Sequence, residues 1–182
     1  MEAQRDAVKD LPLLMQRLVQ AIELAESCTK AAKILDDDDF GFMTLNLLRK
    51  QMVHAGSLLL LIPRIDTILI ARTMFDGLCQ LLWASQYPAE RGRQWRAFSC
   101  VHDWRQMQAE LVAGREVDEN DRIRIENALS EFGELFLKRG AKAAISPDPY
   151  IKYWRDETRL STMASAVGGK ERYDDMYALG TC

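Results

Sequence analysis

At 182 residues the chain is long enough for one folded domain that buries roughly 70% of the surface its unfolded form exposes, with no metal or disulfide staple required. Apolar residues make up 48% and charged residues 28%, with ten glycines and five prolines, which excludes a disordered or low-complexity chain. The net charge of -3 excludes a protein held to nucleic acid or anionic lipid by overall charge, so any such partner must be met by a local patch.

Cys28, Cys79, Cys100 and Cys182 lie far apart and show no C-x-x-C or Cys/His zinc spacing, so they are expected to be reduced thiols, mostly in the core. The opening Met-Glu-Ala-Gln-Arg-Asp is too polar for a signal peptide. The longest apolar runs, Leu58 to Ile62 and Ile68 to Ala71, fall far short of the roughly 18 residues a membrane span needs. A soluble, cytoplasmic protein is the expectation, with no membrane partner.

The first helix is expected from Asp10, carrying Leu14, Leu18, Ile22, Ala25, Cys28, Ala32 and Leu35 at three- and four-residue steps, with Pro12 in the tolerant first turn. Asp36 to Asp39 should end it, since carboxylates are unfavourable at the negative end of a helix and favourable at the start of the next. That run lacks the alternating ligand spacing of a calcium loop. A second helix follows from about Phe40 to Ile62, stopped by Pro63. The third, Pro63 to Tyr87, is apolar nearly all round and is predicted to be the central helix. A fourth is predicted from Pro88 to about Ala113 with Gly114 as its cap, and a fifth from about Glu119 to Lys138 with Asp118 as N-cap and Gly140 closing it. Ser146-Pro147-Asp148-Pro149 reads as a loop, followed by two short helices, about Thr158 to Val167 and Lys170 onward. Leu179-Gly180-Thr181-Cys182 has the character of a helix interior, so the chain reads as interrupted within that helix. No segment has strand periodicity over more than about four residues and no 20- to 50-residue repeat occurs. The pattern predicts an all-α single domain, 1–182, an up-and-down bundle of about five main helices plus two short C-terminal ones.

Several constellations carry polar chemistry. On the third helix, Ile65, Leu69, Arg72, Asp76, Cys79 and Trp83 share one stripe, so Arg72 and Asp76 are expected within reach of each other on an apolar face. The arrangement fits a structural ion pair, or an anion or nucleotide site lined by Arg72. Arg91-Gly92-Arg93-Gln94-Trp95-Arg96, with Phe98, His102, Trp104 and Arg105 beyond it, interleaves cations and aromatics as a phosphate- and base-holding surface does. Helical geometry gives the competing picture, with Trp95, Phe98 and Val101 inward and Arg93 and Arg96 in water. Tyr173 and Tyr177 stand one turn apart, as two phenols of one cleft or as core residues with boundary hydroxyls. His54 and His102 belong to no paired-ligand element, so metal catalysis is not expected, and no cofactor is expected from glycine motifs, which are absent.

The run Ala71-Arg72-Thr73-Met74-Phe75-Asp76, then Pro88, Trp95 to Phe98, Trp154, and Tyr173 with Tyr177, resembles a large bacterial family of uncharacterised all-helical proteins, a domain of unknown function. The resemblance spans roughly residues 40–182. Asp76 stands where that family has a Glu, which shortens the reach to Arg72, and Thr181 would stand for a Ser or Thr that precedes a family His. The late polar helix end is similar to the higher-eukaryote and prokaryote nucleotide-binding class of helical bundles, in which Arg-x-x-x-x-His supports RNA cleavage. No late helix of this sequence carries that motif.

Two functions are therefore expected in competition. One is a non-catalytic binding or protein-interaction module that self-associates, with a pocket lined by Arg72, Asp76, His102 and Tyr177. The other is a nucleotide- or RNA-acting bundle enzyme of toxin or phage-defence type, with Arg72, Arg93 and Arg96 on phosphate. DNA is not expected as a partner in either.

Overall fold

The computed structural model describes residues 10–62, 67–140, 148–155 and 158–178. It is all-α, with no strand among the described residues apart from an isolated antiparallel bridge between Leu137 and Tyr150. The helices are α1 (Leu11–Ala31), α2 (Asp39–Leu61), α3 (Thr67–Ala84), α4 (Pro88–Ala97), α5 (Ser99–Val112), α6 (Glu119–Phe132), α7 (Leu160–Ala166) and α8 (Lys170–Ala178), with a 3-10 turn at Gly133–Phe136. By their contacts they form two compact units. Residues 1–86 with 160–182 make the first, and residues 87–159 the second.

In the first unit α2 lies between α1 and α3, and α3 also carries α7 and α8, so the helix predicted as central has that place within its unit. Its burial is less complete than predicted. Gly77, Cys79 and Ala84 are buried, whereas Leu69, Leu78 and Leu82 keep 59%, 46% and 43% of their surface in water. Small residues form the contact because α2 approaches closely. The Gln51 amide lies against Gly77, where a side-chain carbon would collide with its nitrogen, and donates to the Met74 carbonyl at 3.0 Å.

α1 stops at Ala31, short of the predicted Leu35, because Ala32 turns extended to begin the chain reversal into α2. The acidic run has the predicted second role. Asp38 is the N-cap of α2, accepting the Gly41 N–H at 2.7 Å, and Asp39 sits in the first turn at the positive end of the dipole. The Pro63 break, Ile65, the Ser146-Pro147 half of the predicted loop, Thr181 and Cys182 lie outside the described residues. Of the other cysteines, Cys79 and Cys100 are buried as expected and Cys28 is exposed. No described helix is long and apolar enough to cross a membrane.

The second unit departs from the predicted helix boundaries twice. The fourth helix is two, α4 and α5, parted at Phe98, which is 4% exposed and meets Phe136 edge-on with centroids 5.1 Å apart. One straight helix would present Trp95 and Phe98 on a face that drifts from that of Val101, Trp104 and Met107. The bend lets both halves bury their apolar side, and Val101 is fully buried. The fifth helix ends at Phe132 rather than Lys138, because Phe136 is drawn fully into the core and Lys138 N–H donates to the Pro149 carbonyl at 2.8 Å.

Gly114 caps α5 as predicted, at φ 71, with the Arg115 N–H returning to the Glu110 carbonyl at 3.0 Å. Asp118 caps α6, accepting from the N–H groups of Asn120 and Asp121 at 2.9 and 3.2 Å. Replacing Asp118 with alanine is expected to cost about 1 kcal/mol, the usual worth of such a cap, and amide exchange confined to the first turn of α6 is the measurement that checks it.

Candidate functional site

The polar cluster predicted on α3 exists in the first unit, and its partner is the last helix. Arg72 and Asp76 are both half-buried, one turn apart on α3. The Arg72 guanidinium donates from Nε to the Met176 carbonyl at 2.7 Å and from Nη2 to the Tyr177 carbonyl at 3.3 Å, and it lies 5.2 Å from the centre of the Tyr177 ring. Those carbonyls belong to the last described turn of α8. Arg72 thus ties the last described turn of α8 to α3.

Asp76 completes the latch from the same face. The Tyr177 hydroxyl donates to its two carboxylate oxygens at 3.1 and 3.0 Å. Tyr173 stacks on Tyr177 with centroids 4.4 Å apart and an interplanar angle of 23°. Burial first, then the hydrogen bond to Asp76 and its charge, push the Tyr177 phenol well above the ordinary tyrosine range. Burial, with the same carboxylate, also raises the Cys79 thiol. Both groups are therefore held protonated, as hydrogen-bond donors rather than as a phenolate or a thiolate.

The other predicted residues lie in the second unit. Arg93 is exposed as expected, and Arg96 is half-buried, not in open water as expected, because the break at Phe98 turns the end of α4 toward that unit's core. His102 is exposed and meets the Phe98 ring edge-on at 5.1 Å. Phe98 and Val101 face inward, so the interleaved pattern resolves largely into an amphipathic helix pair.

Arg105 has a different role from its neighbours in that segment. It contacts the Asp148 carboxylate through Nε at 3.2 Å and Nη2 at 3.1 Å, and Nη2 also donates to the Tyr150 and Ile151 carbonyls at 3.1 and 2.9 Å. Sequence reasoning missed this clamp, as it missed the buried Arg155, which donates to the Thr158 carbonyl at 2.9 Å. The Asp148-Pro149 pair that ends the loop was the available signal for the first.

Between α5 and α6 the second unit has a groove of about 270 Å³ whose lining includes Met107 and Ile125 together with Asp103, Glu110, Asp118, Asp121 and Arg124. Arg124 bridges Asp103 and Asp121 at 3.2 Å each, Arg115 pairs with Glu110, and Asp118 serves as the N-cap. The hydrogen bond from Arg115 holds the Glu110 carboxyl below its usual range. Acidic groups outnumber cations here, so the groove repels phosphate. Among the described residues no group of three or more histidines, cysteines or carboxylates is arranged to hold a metal ion.

No protein-family model, curated protein or solved structure matches this chain.

Proposed function

We propose that this chain is a non-catalytic helical interaction module whose docking surface is the outer side of α1 and α2. The observation that carries the reading is α1, a 21-residue helix with no buried residue, on which Leu13, Leu14 and Leu24 are 50%, 56% and 67% exposed. α2 adds Phe42, Val53 and Leu60, which share one face by their spacing and are 39%, 69% and 86% exposed. Single exposed leucines are ordinary, but this many large apolar side chains exposed on two packed helices are the kind of feature that marks an association surface.

The nucleotide-acting reading draws less support. Its principal cation, Arg72, is engaged by carbonyls of α8, and the groove between α5 and α6 is acidic.

A photo-crosslinking residue placed at position 24 in the cells that make the protein is expected to give a defined protein adduct, and the same residue at Glu23, on the polar side of α1, is expected to give none. Equal labelling at both positions, or none at 24, would end the interaction reading.

A further inference from the structure

The interaction reading leaves the partner open, and the pattern on α1 specifies it. At about 100° per residue, two apolar seams run along this helix. Leu11, Met15, Leu18, Ile22, Ala25 and Thr29 step by four and three, are half-buried, and form the side that rests on α2. Leu14, Arg17, Ala21, Leu24, Cys28 and Ala31 step by three and four, are all exposed, and form a second seam beside the first. Together they span an arc of about 200°, far wider than the stripe one neighbouring helix covers. Within that arc Arg17 carries the one charge, whereas Glu23, Glu26 and Lys30 are on the opposite side. A helix patterned this way is built to lie between two others, and α2 supplies one of them.

Resting on the interaction reading, we infer that the second neighbour is α1 of another copy of this chain, packed antiparallel through the outer seam. Two properties of the seam select that occupant and orientation. In a parallel pair each seam residue faces its own equivalent, which sets Arg17 against Arg17 and Leu24 against Leu24 while Ala21 faces Ala21 across a gap. In the antiparallel pair that keeps all six layers in register, Leu14 faces Ala31, Arg17 faces Cys28 and Ala21 faces Leu24. Every large residue then meets a small one. The two Arg17 guanidinium groups are separated, and each stem lies over a small side chain with its charge reaching water. The sequence of this one helix is therefore complementary to itself in reverse.

The experiment uses the full chain with Cys182→Ser, so that the accessible thiol considered is Cys28. Light scattering after size exclusion should give twice the 20.8 kDa of one chain, and Leu24→Glu should give a single folded chain with unchanged helix content, since Leu24 is 67% exposed and contributes little to the fold of one copy, its melting midpoint lower only by the concentration-dependent share that dimerisation adds. In the antiparallel register the two Cys28 residues are about 17 Å apart along the helix, too far for a disulfide. Mild oxidation should therefore leave the parent uncrosslinked, while Arg17→Cys should convert most of the protein to a dimer joined through positions 17 and 28.

A Cys28–Cys28 bond in the parent would overturn the antiparallel arrangement. A parent that stays at one chain mass, or a dimer indifferent to Leu24→Glu, would overturn self-association. In either of those cases, a heterologous adduct at position 24 in cells would leave the interaction reading standing, and the absence of any adduct would remove both.

Discussion

Arg105→Ala is expected to destabilise the second unit by about 3 kcal/mol and to lower the melting temperature by roughly 6–12 °C. The size of the effect does not come from the ion pair with Asp148, whose side chain is 43% exposed and whose charge water already stabilises. It comes from the Tyr150 and Ile151 carbonyls, which lose a charged donor within a part-buried turn. Two further interactions depend on that turn. Tyr150 packs edge-on against Trp104 at 5.1 Å, and the segment pairs with the end of the 3-10 turn through the Ile151 N–H to the Phe136 carbonyl at 2.7 Å. Arg105→Lys should recover only a minority of the loss, because one ammonium cannot meet a carboxylate and two carbonyls from a planar fork. Thermal and urea melts of the two variants check this, and variants that melt with the parent would show that the clamp contributes nothing.

Helical periodicity made the all-α class legible, because three- and four-residue steps at Leu14, Leu18 and Ile22, or at Phe132, Leu135 and Phe136, have no strand counterpart. Capping chemistry was equally readable. Asp118 and Gly114 do what their residue types are suited to do, since both effects are local. What periodicity could not show was where tertiary contacts override it. Phe136 lies on a helical pattern, but the cost of leaving it exposed exceeds the gain from one more helical turn, so the chain switches to a 3-10 turn and carries the ring inward.

The same distinction governs the candidate site. Spacing brought Arg72 and Asp76 to one stripe, and likewise Tyr173 and Tyr177, but it could not show that the two pairs meet each other across about a hundred residues of chain. The exposed seam of α1 was hidden for the opposite reason. Its residues fit an ordinary amphipathic helix, and only the exposure of Leu14, Leu24 and Cys28 shows that half of the apolar arc has no cover among the described residues.

Arg72→Ala is expected to cost about 2 kcal/mol and to lower the melting temperature by roughly 4–8 °C, with α8 losing amide protection before the rest of the first unit. The variant removes the guanidinium from the Met176 and Tyr177 carbonyls and from the Tyr177 ring. Tyr177→Phe should cost less, about 1 kcal/mol, since it removes the hydroxyl with its bond to Asp76 and leaves the ring in place. Combining the two should cost less than the sum, because both act by holding the same helix to α3.

The phenol adds a pH signature. Its folded-state pKa is raised by burial and by Asp76, so its contribution is fully present below the unfolded value near 10 and is lost as pH rises from there toward the folded value. The parent should therefore lose stability more steeply above pH 10 than Tyr177→Phe does, with the remaining tyrosines common to both. A nucleotide panel separates this architecture from a binding role. If Arg72 serves to hold α8 to α3, no nucleotide or short RNA shifts the parent's melting midpoint and the variant is simply less stable. If a nucleotide raises the midpoint in the parent and not in Arg72→Ala, while the variant alone melts with the parent, then Arg72 is a ligand group and the interaction-module reading gives way to a nucleotide site.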